Sequence, residues 1–236
     1  MSEKAILFDS SRCTACRGCQ VACKCWNDLP STLEKNGNPS TGSYQSPMDL
    51  NGTTRILISF NEEAGGDKGV KWAFGRRSCQ HCTDAPCATI CPGGALKKDE
   101  ATGFVSVDES KCIGCQFCVM ACPYGVRSWN KEQKVVEKCT LCEQRISQGE
   151  LPQCVAQCGS RARFFGDLEQ GIDTFEAPAV GYDVDRSYDN LYTGNRVTLG
   201  ELAVEYGDAD VHHLPDVGNG PHFAYILRDR EWKGGE

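Results

Sequence analysis

The sequence lacks any long apolar run and any excess of positive charge. No segment approaches the roughly 20 apolar residues that span a bilayer, and the mean hydropathy is −0.42. The N-terminal segment Met1–Asp9 holds only a short apolar stretch at Ala5–Phe8, so we expect neither a signal peptide nor a membrane anchor in this chain. A net charge of −7 and a pI near 5.2 argue against nucleic acid as a partner.

Apolar residues other than cysteine are also scarce. The apolar fraction of 40% includes 17 cysteines in 236 residues. The remaining apolar residues are few for a chain that forms one large or two small domains, so we expect bound metal to contribute to stability. So many cysteines indicate either a disulfide framework or metal, and without an export signal we favour metal.

Sixteen of the cysteines form four motifs with regular spacing, and Cys25 is left over. Motif 1 is Cys13, Cys16, Cys19 and Cys23; motif 2 is Cys79, Cys82, Cys87 and Cys91; motif 3 is Cys112, Cys115, Cys118 and Cys122; motif 4 is Cys139, Cys142, Cys154 and Cys158. Motif 3 matches the bacterial ferredoxin pattern C-x2-C-x2-C-x3-C-P. Motif 1 departs from it only in having Lys24 in place of the proline.

The spacing predicts how the motifs combine. Three closely spaced cysteines wrap one corner of a cubane, and the fourth, about one helical turn further on, points to a neighbouring cluster. We therefore predict four [4Fe–4S] clusters in two pairs that exchange a ligand. Quartet 1 is Cys13, Cys16, Cys19 and Cys158; quartet 2 is Cys23, Cys139, Cys142 and Cys154; quartet 3 is Cys79, Cys82, Cys87 and Cys122; quartet 4 is Cys91, Cys112, Cys115 and Cys118.

Zinc and disulfides account for the cysteines less well. Tetrahedral zinc sites use two C-x2-C knuckles per ion and have no use for the third cysteine of C-x2-C-x2-C. The dense local spacing disfavours disulfides. For Cys25 three interpretations stay open: a ligand in place of Cys23, a redox-active thiol, or a small half-buried residue beside the first cluster. We favour the last of these.

The fold class that this pattern predicts is α+β, with two ferredoxin-like two-cluster modules, one nested within the other. We predict strands at 54–60, 70–74, 104–108 and 223–227, and a short helix at 201–206. The domains we expect are an outer module of residues 1–26 and 131–166, an insertion at 27–74 with loop and short strands, an inner module at 75–130, and a cysteine-free C-terminal extension at 167–236. We expect the extension to contact another subunit or to lie back across the modules.

Basic residues concentrate beside the cysteines. They are Arg12, Arg17, Lys24, Arg76, Arg77, Lys111, Arg127 and Lys138. An oxidised cubane with four thiolates carries a charge of about −2, so we expect several of these cations to offset cluster charge. His81 lies inside motif 2, where thiolates already fill the iron sites, and we assign it no ligand role.

Two stretches resemble a known family. The segment Cys13–Cys23 (CTACRGCQVAC), followed by Trp26-Asn27, resembles the opening of formate dehydrogenase beta subunits. The segments Lys138–Cys142 (KCTLC) and Pro152–Cys158, followed by Phe165–Leu168, resemble the wider family of four-cluster iron–sulfur subunits of molybdenum or tungsten bis-pterin oxidoreductases, the DMSO reductase superfamily.

This chain departs from the family pattern in places. It has Gly159 where many members have proline, and residues 162–167 and 217–221 look more like subunits of respiratory reductases. We expect this chain to lack the C-terminal membrane helix of some formate dehydrogenase beta subunits.

The resemblance implies an electron-transfer subunit with no catalytic residues of its own. Such a subunit relays single electrons between a large Mo/W-bis-pterin catalytic subunit and a soluble electron carrier or membrane anchor, and the outer module faces the catalytic subunit. A formate dehydrogenase is the enzyme we expect. A respiratory reductase of another small substrate and a polyferredoxin subunit of a tungsten aldehyde oxidoreductase stay open. The expected location is the cytoplasm, or the periplasm by export with a partner subunit.

Overall fold

The structure, a computed structural model, describes residues 3–31, 44–64, 69–178, 196–202 and 211–227. Its strands are β1 (Lys4–Asp9), β2 (Leu57–Ala64), β3 (Val70–Arg77), β4 (Leu96–Lys98), β5 (Val105–Val107), β6 (Ser128–Asn130), β7 (Val135–Glu137), β8 (Arg163–Asp167), β9 (Glu176–Pro178), β10 (Arg196–Thr198), β11 (Val211–His213) and β12 (Ala224–Ile226). Its helices are α1 (Gly18–Trp26), α2 (Pro86–Thr89), α3 (Phe117–Ala121), α4 (Glu143–Ser147) and α5 (Gln153–Ala156). The helix predicted at 201–206 falls largely outside the described residues.

A six-stranded sheet in the order β10-β9-β8-β1-β12-β11 forms the centre of the fold. Strand β1 pairs antiparallel with β8 and parallel with β12. Ala5, Ile6, Leu7 and Phe8 of β1 are all buried, so both faces of the strand are covered. A strand covered on both faces needs a continuous apolar run rather than alternation, which is what this short stretch provides.

The cysteine motifs lie in loops that lead into short helices, and these helices pack in two pairs. Helix α1 of motif 1 packs against α5 of motif 4, and α2 of motif 2 packs against α3 of motif 3. The pairs therefore join the same motifs that the ligand exchange predicts. The nested arrangement of two ferredoxin-like modules stays a proposal that this packing supports.

Three two-stranded hairpins, β2–β3, β4–β5 and β6–β7, connect the motifs. The strands predicted at 104–108 and 223–227 are confirmed as β5 and β12, each one residue shorter at both ends. The predicted pair at 54–60 and 70–74 is also present, but β2 begins only at Leu57. The reason is a tight turn closed by a bridge between Asn51 and Thr54, which uses the residues where the strand was expected to begin.

The described parts of the C-terminal extension lie back across the cysteine-bearing part of the chain. Strand β12 pairs with β1, and the carbonyls of Asn219 and Gly220 accept the N–H groups of Asp84 and Thr83 in motif 2. Within the described ranges, no helix combines the length and apolarity needed to cross a bilayer.

Candidate functional site

The four cysteine motifs share one local backbone conformation. In each motif the residue just before the second cysteine has a positive φ: Ala15 (53°), His81 (51°), Gly114 (72°) and Leu141 (57°). Only one of the four is glycine, although this conformation costs other residues roughly 1–2 kcal/mol. In motifs 1 and 4 the turn brings the N–H of this residue to 3.4 Å from the sulfur of the first cysteine. Four turns of one kind therefore present the sulfurs of all four motifs in the same way.

Two cavities in the inner part of the chain are each lined by four cysteines. The first is lined by Cys79, Cys82, Cys87 and Cys122, and the second by Cys91, Cys112, Cys115 and Cys118. Their empty volumes are similar, about 310 and 330 Å³, including the open mouths. In both, the fourth cysteine of one motif stands among the first three of the other. These two sets are quartets 3 and 4.

The other eight cysteines come together from segments more than a hundred residues apart. Cys13 interacts electrostatically with Cys16 and Cys158, and all three belong to quartet 1. Cys23 lies instead among the members of quartet 2, Cys139, Cys142 and Cys154. The structure thus brings together the residues that the ligand exchange predicts for the outer pair as well.

Apolar contacts connect the quartets in a row. Quartets 1 and 2 share the main apolar core, which includes Cys19 and Cys154. Cys139 of quartet 2 packs in one small cluster with Cys79 of quartet 3. Cys87 of quartet 3 packs in another with Cys118 of quartet 4. The order along the row is therefore quartet 1, 2, 3 and 4.

The cysteine side chains fit an iron–sulfur group in each quartet. All seventeen cysteines are free thiols. Burial raises the pKa of Cys82 and of Cys142 to about 12, so their thiolates need a positive charge close by, which iron supplies. Within the described part of the chain, no three His, Cys, Asp or Glu side chains are placed to hold one metal ion. The sulfurs surround larger spaces, as the two cavities illustrate.

Buried N–H groups without a partner among the described residues support the same fit. All three guanidinium nitrogens of Arg76, both Nη atoms of Arg163 and Nη1 of Arg127 have no acceptor. Because buried donors are nearly always hydrogen-bonded, these nitrogens need acceptors that the chain does not supply. Cluster sulfides and thiolates are such acceptors.

His81 adds one more unpartnered donor. Its Nδ1 accepts the backbone N–H of Val105 at 3.1 Å, so the proton of the neutral ring is on Nε2, which is buried and unpartnered. Burial, reinforced by Lys138 and Lys98, lowers the pKa of His81 well below its usual value and keeps the ring neutral. The imidazole therefore offers a donor and no charge.

Three of the eight predicted basic residues are buried among the cysteines. They are Arg76, Arg127 and Lys138. Arg127 Nη2 donates to Cys87 Sγ at 2.5 Å. The other five have different partners: Arg12 donates to the carbonyl of Arg161, Arg17 to that of Tyr44, Lys24 to those of Pro30 and Thr53, while Arg77 pairs with Asp49 and Lys111 with Asp108. An electrostatic role toward the clusters is supported for the three buried residues, and Lys24 also interacts electrostatically with Cys23.

Two residues beside the quartets were missed as site residues in the sequence. Arg163, on β8, is fully buried, and its charge acts on Cys13, Cys19 and Cys154. A charged residue between the apolar Ala162 and Phe164 is the signal that could have identified it. Asn219, from the C-terminal extension, donates its Nδ2 hydrogen to Cys82 Sγ at 2.9 Å. No local signal indicates that contact.

The expectation for Cys25 is wrong in one respect. The residue is exposed rather than half-buried, because it lies on the side of α1 away from Cys23. It lies in neither of the two cysteine-lined cavities and takes no part in the contacts among the quartets described above.

Comparison with known proteins adds the family. Residues 70–168 match the model of a 4Fe-4S dicluster domain. The chain is 34% identical over 220 residues to the formate dehydrogenase iron-sulfur subunit of Haemophilus influenzae, an alignment that covers 92% of this chain and 68% of that protein. It is 36% identical over 204 residues to the formate dehydrogenase-O iron-sulfur subunit of Escherichia coli K12, covering 86% of this chain and 66% of that protein. It is 37% identical over 171 residues to the thiosulfate reductase electron transfer subunit PhsB of Salmonella typhi, covering 72% and 78%. The chain thus spans about two thirds of the length of these formate dehydrogenase subunits.

Proposed function

This chain belongs to the family of iron–sulfur electron-transfer subunits that carry [4Fe–4S] clusters, and we propose that it holds four clusters, one in each quartet. It relays single electrons between a large Mo/W-bis-pterin catalytic subunit and a soluble carrier or membrane anchor. The clusters, when bound, supply one-electron redox centres. The observation that carries the proposal is the row of four quartets, each in apolar contact with the next.

The chain's own residues hold this row and exclude water from it. Most of the sixteen cysteines are buried or half-buried, and buried aliphatic side chains such as Val126, Leu141 and Val155 fill the space beside them. A dry, apolar surrounding and N–H groups near the sulfurs are the means by which a protein adjusts cluster potentials.

The two ends of the row are accessible to partners. Cys16 of quartet 1 is exposed, and Val21 on α1 is exposed nearby. At the other end, Ile113, Phe117 and Met120 surround quartet 4 with exposed apolar side chains. We propose that quartet 1 faces the catalytic subunit and quartet 4 faces the external carrier, so electrons enter and leave at opposite ends.

Formate is the substrate that we propose for the catalytic partner. Motif 1 resembles formate dehydrogenase subunits, and two of the relatives above carry that name. A reductase of another small substrate is the second candidate, because the chain covers more of the thiosulfate reductase subunit, 78%, than of either formate dehydrogenase subunit. The direction of electron flow differs between the two.

Iron analysis of the anaerobically purified protein tests the cluster count. Four cubanes give about 16 irons and as many acid-labile sulfides per chain. The variant Cys115→Ser, in quartet 4, should lose or convert one cluster and leave the other three. A value of about 4 or 8 irons in the wild-type protein would contradict the proposal. Co-purification of a large subunit that contains pterin and Mo or W tests the partner separately.

A further inference from the structure

Four cations are buried among the quartets without a carboxylate partner. Arg76, Arg127, Lys138 and Arg163 are each at most 4% exposed. None of them forms an ion pair within the part of the chain that the structure describes. Arg55 differs, because Glu137 holds its guanidinium at 2.6 Å. An unpaired buried charge destabilises a fold strongly, so these four positions require a negative group beside them.

The first of these positions is the junction between quartets 1 and 2. Arg163 acts electrostatically on Cys13, Cys19 and Cys158 of quartet 1 and on Cys154 of quartet 2. Its strand places it against the ring of Phe8, 5.6 Å from the ring centroid, with both Nη atoms unpartnered. Arg76 is a second cation at this junction, since it acts on one cysteine of each quartet.

Each of the other two junctions also has a buried cation. Lys138 precedes Cys139 of quartet 2 and donates to its carbonyl at 2.7 Å, and its charge also acts on Cys79 and Cys87 of quartet 3. Arg127 lines the cavity of quartet 3, donates to Cys87 Sγ, and also acts on Cys118 of quartet 4. Every step of the row therefore has a buried positive charge that acts on cysteines of both its quartets.

We propose that Arg163, Lys138 and Arg127 are junction cations, each of which stabilises an added electron on either of the two clusters that flank it. The inference rests on the proposed function, because it requires a cluster in each quartet. A reduced cluster carries one more negative charge than an oxidised one, and neighbouring clusters repel each other. A fixed cation at each junction offsets both effects along the whole row. Arginine suits this place because its charge is permanent.

A charge shared between two clusters has a different signature from a hydrogen bond to one. Arg127 donates to a single sulfur of quartet 3, so a role confined to that bond would change the potential of one cluster. A shared charge changes the potentials of both flanking clusters and leaves the distant pair nearly unaffected. The pairwise pattern is therefore the quantity to measure.

Redox titration followed by EPR on the anaerobically purified complex measures this pattern. Arg127→Met should lower the potentials of the clusters in quartets 3 and 4, Lys138→Met those in 2 and 3, and Arg163→Met those in 1 and 2. We expect at least a tenfold fall in the reduced-to-oxidised ratio at a fixed potential, about 59 mV for one electron. Arg127→Lys keeps the positive charge, so the potentials of the clusters in quartets 3 and 4 should stay close to their wild-type values. Single Cys→Ser variants, one per quartet, assign the signals.

Arg77→Met is the matched control, because Arg77 is only half-buried and is already paired with Asp49. It should leave all four potentials unchanged. The proposal of junction cations is disproved if wild-type protein holds about 16 irons but each of the three variants shifts only one potential, all four alike, or none. If wild-type protein lacks the four clusters, the proposed function fails instead. Should Arg127→Met lose iron, Lys138→Met and Arg163→Met decide the question by the same pairwise pattern.

Discussion

Cys23 and Cys25 lie two residues apart on α1 in different surroundings. Cys23 is buried among the cysteines of motif 4, and burial raises its pKa well above the usual value. Cys25 is exposed to solvent. The x3 spacing of the ferredoxin pattern selects Cys23 as the fourth cysteine of motif 1, and a helix places residues two apart on different sides. Only Cys23 is therefore in a position to serve as a ligand.

Replacing each of these two cysteines by serine distinguishes the iron ligand from the cysteine that binds no iron. Cys23→Ser removes a ligand of quartet 2, so we expect the iron content to fall by about 1 to 4 atoms per chain, according to whether the cluster converts or is lost. Cys25→Ser should keep the wild-type iron content and EPR signals. Loss of iron from the Cys25 variant with retention in the Cys23 variant would reverse the assignment.

At the scale of single residues, spacing carries most of what the sequence predicts. The cysteine motifs are local, so their grouping is visible in the chain itself. The contact of Asn219 with Cys82 joins residues 137 positions apart and depends on where the C-terminal extension packs. The burial of Arg163 depends likewise on the pairing of β8 with β1. Such long-range contacts leave no periodic signal in one sequence.

Among the elements, the central sheet determines where motifs 1 and 4 meet. Motif 1 begins shortly after β1, and β8 follows directly on motif 4. Because β1 and β8 are neighbours, with Phe8 opposite Arg163, the sheet holds the two motifs beside each other. The sequence identifies β1 as a short apolar stretch, but its partners β8 and β12 are more than a hundred residues away, and their pairing could not be predicted.

Gly166 of β8 offers a test of how closely this sheet is packed. A Cβ atom there would lie 2.3 Å from Cδ1 of Phe175, whose ring is fully buried. We expect Gly166→Ala to destabilise the protein by about 1–3 kcal/mol, as overpacking of a core does. The measurement is the midpoint of denaturant unfolding, with the holoprotein under anaerobic conditions.

Gly159→Ala is the control for that substitution. No atom lies within 4 Å of a Cβ at residue 159, and its φ is not in the left-handed region. The midpoint of denaturant unfolding of the Gly159→Ala variant should stay close to that of the wild-type protein. Equal stability of the Gly166 and Gly159 variants would show that the sheet adjusts to the added methyl group.

The whole molecule is held together by two different means. The thin apolar composition predicted that bound metal contributes to stability. A continuous apolar core around the sheet, which includes Phe8, Phe164, Phe175 and Ile226, contributes as well. Among the described residues, the inner part contributes Phe104 to this core and otherwise forms two small apolar clusters that include cysteines. The sheet therefore has its own source of stability, whereas the inner loops depend on what their cysteines bind.

Hydrogen exchange of the full chain with and without iron should show this difference. Removing iron with a chelator under anaerobic conditions takes away the ligand bonds of all four quartets. We expect peptides from β1, β8 and β12 to keep much of their protection, because backbone pairing and apolar burial remain. Peptides that cover residues 79–91 and 112–122 should lose theirs, because small apolar clusters cannot hold these loops alone. Equal loss of protection in the sheet and the loops would mean that metal holds the entire fold.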